Sequence, residues 1–149
     1  MTTPKLRDDL IADEGLREHA YADAGGVWTI GVGHTGPEVR RGLVWSRETC
    51  LQALEHDIAR AEQGLDAHLS WWRGMSPERQ DVLANMAFNL GVEGLLAFRH
   101  TLEAVQAADY DLAARRMLAS EPWRSQVGAR AMRLAAQMRT GVRSHGGEP

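Results

Sequence analysis

Residues 20–36 read AYADAGGVWTIGVGHTG, and this stretch decides how the chain folds. Glycine, aromatic and β-branched residues crowd together here, whereas most of the remaining chain has helical periodicity. Ala24-Gly25-Gly26 suits a turn between two short strands, so a small β-hairpin is expected over about residues 20–34. Side chains alternate along a strand. A regular strand therefore puts Thr29, Gly31 and Gly33 on one face and Trp28, Ile30 and Val32 on the other, with the apolar face packed inward. The first face then shows one hydroxyl followed by two bare glycines. Glycine inside a strand often marks close approach by a ligand or another backbone, which makes this face a candidate cleft floor with Thr29 at its edge.

Helices are expected on both sides. Upstream, Thr3-Pro4 reads as an N-cap followed by proline at the first helical position. Leu6, Leu10 and Ile11 supply an apolar stripe, and Gly15 is placed to end the helix with Glu14 in its last turn. Downstream, Leu51, Leu54, Ile58, Ala61, Leu65 and Leu69 recur by threes and fours and predict one long amphipathic helix over about 47–69. Ser76-Pro77 caps a helix bearing Val82, Leu83, Met86, Ala87 and Leu90, which stops at Gly91 and is dense enough in apolar residues to be the buried central one. Shorter helices follow near 94–107 and 110–119, Pro122 breaks the pattern, and a last helix runs from about 127 to 139 before Gly141. The fold class is α+β and mostly helical: a β lobe over about 15–45, a connecting helix, and a helical lobe over about 76–141 in a single domain.

The 149 residues suit one domain, with 44% hydrophobic residues to fill a core and 25% charged. No apolar run approaches the roughly 20 residues of a membrane helix, so no stable membrane insertion is expected. The charged N-terminus does not read as a secretion signal. The net charge of −3 gives no general reason to bind nucleic acid. Between residues 112 and 147, however, seven arginines face one glutamate, either a surface for an anionic polymer or a solvated helix face. Cys50 is alone, so no internal disulfide forms; it reads as a buried small residue. His19, His56, His68, His100 and His145 have no metal-ligand spacing, and no metal or cofactor is expected. Trp28 and Trp45 read as core, and Met86, Met117, Met132 and Met138 as core filler. Trp71-Trp72 is either packing between helices or an exposed pair for sugar rings.

Glu14, Asp23 and Thr29 carry the candidate chemistry. Glycoside hydrolysis needs one carboxylic acid to protonate the leaving oxygen and a second group to activate or stabilise the attacking partner. A carboxyl at a helix C-terminus meets the negative end of the helix dipole, which favours the protonated form a general acid needs. A capping Glu and a turn Asp is the alternative reading of the same spacing.

With Glu14-Gly15, Tyr21, Asp23, Gly26 and the run Thr29-Ile30-Gly31-Val32-Gly33-His34-Thr35, the sequence closely resembles the phage T4-type lysozymes. Asn85–Gly91 with Gly94 and Phe98 resembles that family's central helix and its exit, and Trp123 with Arg130 its C-terminal motif. The resemblance covers roughly residues 5–141, and the short stretch from His34 to Ser46 is similar to the compact lambdoid-type branch. It implies a monomeric endolysin, a muramidase that cleaves the β-1,4 bond from N-acetylmuramic acid to N-acetylglucosamine in bacterial peptidoglycan, with inversion. It implies Glu14 as general acid, Asp23 positioning water or stabilising positive charge, and Thr29 holding that water. His34 would be structural, below the cleft. Arg130 would orient Glu14, and Tyr21, Gly31 and Asn89 would line the groove. It further implies accumulation in the host cytoplasm, release by a holin, and action at the cell wall. A lytic transglycosylase and an inactive peptidoglycan-binding module are the alternatives.

Overall fold

The computed structural model describes residues 2–143, so His145 lies outside the described residues. The chain forms two compact units, one from Pro4 to Arg60 and the other from Ala61 onward together with the residues before Pro4. Among the described residues no single helix is long and apolar enough to cross a membrane.

The first unit opens with α1 (Lys5–Glu14), whose N-cap position is occupied by Pro4 without any side-chain cap. Thr3 therefore does not cap α1; it serves the second unit, as described below. Gly15 ends the helix at φ 77°, a conformation that favours glycine, with its N–H on the Ile11 carbonyl. The hairpin follows as β1 (Arg17–Ala22) and β2 (Trp28–Gly31). Tyr21 pairs with Thr29 and Arg17 with Gly31, so the register shifts between those two pairs. On its other edge β1 is held by residues 43–45: Ala20 N–H donates to Leu43 O at 3.0 Å and Trp45 N–H to Glu18 O at 2.8 Å. Three residues are too few to show a period of two, which is why this third extended segment escapes sequence reading.

The expected alternation of faces along 28–33 does not hold. Thr29 and Gly31 are buried, as is Ile30, while Trp28 is only half-buried. Two local facts explain it. A Cβ on Gly31 would already touch Cys50, so the strand end lies directly against α2 (Arg47–His68). Gly31 and Gly33 both take positive φ, and Ile30 and His34 exchange backbone hydrogen bonds, so the chain has turned before Gly33. Trp45 is half-buried too and stacks on His34 rather than filling a core.

The second unit holds the end of α2, a short 3-10 turn (Trp72–Gly74), α3 (Pro77–Leu96), α4 (Arg99–Gln106), α5 (Tyr110–Ala119), α6 (Glu121–Val127) and α7 (Ala129–Thr140). Ser76 caps α3 by accepting the Arg79 N–H. The helix that opens α3 stops at Gly91, as expected, where φ 77° and ψ 157° are non-helical; a short second helical segment carries α3 on to Leu96, and the helix expected over 94–107 is divided by a break at Ala97-Phe98. Pro122 starts a helix instead of breaking one, because in the first turn of α6 its missing N–H is not needed. Helix α7 packs on α3 and α5. Val82, Leu83, Met86, Met117 and Met138 are fully buried there, whereas Met132 is exposed. Of the tryptophan pair, Trp72 is buried with its Nε1 donating to Asp66, and Trp71 is half-buried. Asp81 on α3 is buried and joins the first and last parts of the described residues, accepting the Thr3 N–H and hydroxyl and the Arg143 guanidinium. Burial pushes its carboxyl up to about 6, against the pull of the Thr3 hydrogen bonds.

Candidate active site

Glu14, Tyr21, Asp23, Thr29, Gly31 and His34 all belong to the first unit, carried by the end of α1, the hairpin and the turn that follows it. Glu14 is half-buried at the C-terminus of α1. Its carboxyl lies against the bare Cα of Gly33: a Cβ there would stand 2.8 Å from Oε1 and 3.0 Å from Cδ. The close approach suggested by the glycines of this run is thus real at Gly33, and what approaches is the Glu14 side chain.

Asp23 closes the hairpin turn. Its Oδ1 accepts the N–H groups of Gly25 at 2.9 Å and Val27 at 2.8 Å, while its backbone N–H donates to the Val27 carbonyl and its carbonyl accepts the Gly26 N–H, each at 2.9 Å. Short polar side chains hold turns in this way. The second oxygen, Oδ2, makes no hydrogen bond among the described residues, and the residue is exposed. One carboxylate oxygen thus builds the turn and the other is left to face solvent. Thr29 is buried, and its hydroxyl donates to the Val27 carbonyl at 2.9 Å. With its proton committed there, the hydroxyl oxygen offers only lone pairs to anything else.

Tyr21 stands opposite Thr29 across the hairpin. Burial pushes its phenol above the ordinary value; the nearby Arg17 charge pulls it back, and the negative charges of Glu14 and Asp23 push it further up. Its hydroxyl is therefore neutral at physiological pH and lies within the fields of both carboxylates.

His34 is clamped. Nδ1 meets Asp57 Oδ2 and Nε2 meets Glu38 Oε2, each at 2.7 Å, and the ring tilts over Trp45 at 5.3 Å. Burial by itself would lower its pKa, but the two carboxylate hydrogen bonds outweigh that and hold the imidazole above its ordinary value. Both ring nitrogens then donate. Sequence reading missed Asp57 and Glu38; the spacing from His34 to Glu38 is ordinary, and nothing local points to a helix residue 23 positions away.

Asn89 and Arg130 belong to the second unit. Asn89 Oδ1 accepts the Trp123 Nε1–H at 3.2 Å, and Trp123 meets Phe98 edge-on at 5.7 Å. Arg130 is buried, with its Nε donating to Asn85 Oδ1 at 3.0 Å. Asn85 is a polar residue on the buried face of α3 that sequence reading gave no site role.

A small hairpin carrying a turn carboxylate and a strand hydroxyl, preceded by a helix-end carboxyl and followed by a helical unit, is the arrangement of a lysozyme-like α+β protein. The chain belongs to the phage lysozyme family, whose model matches residues 12–139. It is 30% identical to the pre-baseplate central spike protein Gp5 of Enterobacteria phage T4, over 96% of this chain and 29% of that much longer protein. It is 26% identical to probable T4-type lysozyme 1 of Dictyostelium discoideum, covering 92% of this chain and 95% of that one. It is 31% identical to the SAR-endolysin of Escherichia phage Mu, covering 87% and 76% respectively.

Proposed function

We propose that this chain is a muramidase that hydrolyses the β-1,4 bond between N-acetylmuramic acid and N-acetylglucosamine in bacterial peptidoglycan, acting as an endolysin on the cell wall. The observation that carries the reading is the Glu14 carboxyl seated against the bare Cα of Gly33, in the same unit as Asp23 and Thr29. Glu14 gives its proton to the glycosidic oxygen as the bond to the anomeric carbon breaks. A water on the opposite sugar face adds its oxygen to that carbon and passes a proton to the Asp23 carboxylate. Thr29, able only to accept, orients that water, and the outcome is inversion. Asp23 is suited to both tasks, since Oδ1 anchors the turn and Oδ2 remains for water. His34 acts structurally, held by Asp57 and Glu38.

The test is a product analysis. Purified peptidoglycan is incubated with the wild type and with Glu14→Gln, and the muropeptides are separated by mass. Reducing N-acetylmuramic ends from the wild type alone are expected. Anhydro ends would instead indicate a lytic transglycosylase, and no cleavage by either protein would leave a peptidoglycan-binding module.

A further inference from the structure

Arg17 has no part in the chemistry above, yet it is built into the hairpin in an unusual way. Four residues along a regular strand separate Cα atoms by about 13 Å, too far for ordinary side-chain contact. Here the Arg17 guanidinium lies over the Tyr21 ring, 4.3 Å from its centroid. The register shift between these two residues accounts for it: β1 advances four residues while β2 moves back two, so β1 is shortened and twisted between them. The distortion is braced on the far edge of β1 by the hydrogen bonds that Glu18 and Ala20 make to residues 43–45. Bulges re-aim side chains and recur beside active sites. What this one aims is Tyr21, which pairs with Thr29 and lies within the fields of Glu14 and Asp23.

We propose that Arg17, stacked on Tyr21 across the register shift in β1, is a positioning residue that holds the phenol in place on the hairpin opposite Thr29, where it donates a hydrogen bond to the bound sugar. The inference rests on the cleavage reading above. Tyr21 touches substrate; Arg17 acts only through it.

The test uses the whole chain and a double-mutant cycle. Arg17 is exposed, so Arg17→Gln is expected to fold normally. An exposed cation–π contact of this kind corresponds to about a two- to five-fold loss in kcat/KM on soluble peptidoglycan fragments. Tyr21→Phe loses more, and adding Arg17→Gln to it costs nothing further. Arg17→Lys, which keeps the charge without the planar stack, restores part of the loss. Tyrosine ring-carbon NMR supplies a readout independent of activity: of the two tyrosines, the Tyr21 phenol titrates at higher pH in Arg17→Gln, because the lowering charge is gone. Full activity in Arg17→Gln, additive losses in the cycle, or an unmoved Tyr21 titration each overturn the proposal. A wild type without glycan cleavage overturns the function and this inference together, whereas an active wild type with additive losses overturns the pair alone.

Discussion

Gly33→Ala separates the backbone of this site from its chemistry. Gly33 sits at φ +66°, in the left-handed region, where an alanine costs about 1–2 kcal/mol. For a chain of this size that corresponds to a fall in Tm of roughly 2–8 °C. The new methyl also meets Glu14. Opening the contact from 2.8 Å to the 3.4 Å of ordinary packing moves the carboxyl by about 0.6 Å. A misplacement of about 1 Å in a catalytic group can cost about a hundred-fold, so roughly a ten-fold loss in kcat is expected. Gly42→Ala is the control: it has the same kind of backbone, at φ +89°, with nothing within 4 Å of its Cβ. It should lose comparable stability and keep full activity. Thermal melts and turnover on peptidoglycan fragments, measured on both variants below their Tm, decide the matter. If Gly33→Ala turns over as fast as Gly42→Ala, the contact with Glu14 has no catalytic weight and the site geometry argued above is wrong.

Asp23→Asn keeps an acceptor for Gly25 and Val27 but removes the charge; its Tm should change little while activity falls by at least about a hundred-fold, and wild-type rates would make Asp23 a turn residue only. His34 has a raised folded pKa, so its stabilising contribution is complete below the ordinary value of about 6.5 and fades as pH rises through the higher folded one. His34→Gln should therefore flatten the fall of Tm above about pH 6.5, and an identical slope in the two proteins would contradict the clamp. Gly64→Ala places a Cβ 2.3 Å from Val92 Cγ2 in the second unit. The gain in helix propensity is about 0.5–1 kcal/mol, overpacking costs about 1–3 kcal/mol, and the net effect is a lower Tm that Val92→Ala in the same chain relieves.

Much of this molecule is legible from local pattern. The long helix over 47–69 was set by threes and fours of apolar residues and differs from the observed Arg47–His68 by one residue. The hairpin followed from a glycine turn between two aromatic and β-branched runs, and Glu14, Asp23 and Thr29 could be singled out because helix end, turn and strand are all defined within a few neighbours. Those are properties of short-range backbone geometry, and a sequence states them directly. What tertiary structure decided was each contact between residues distant along the chain. Thr3 left its helix to bond Asp81. Residues 43–45 became an edge for β1. Asp57 reached His34, and Gly33 made room for Glu14. Trp45 and Met132 sit outside the core although their composition argued for it. Periodicity records which face of an element is apolar; it does not record which partner that face meets, because such contacts form only when separate elements pack.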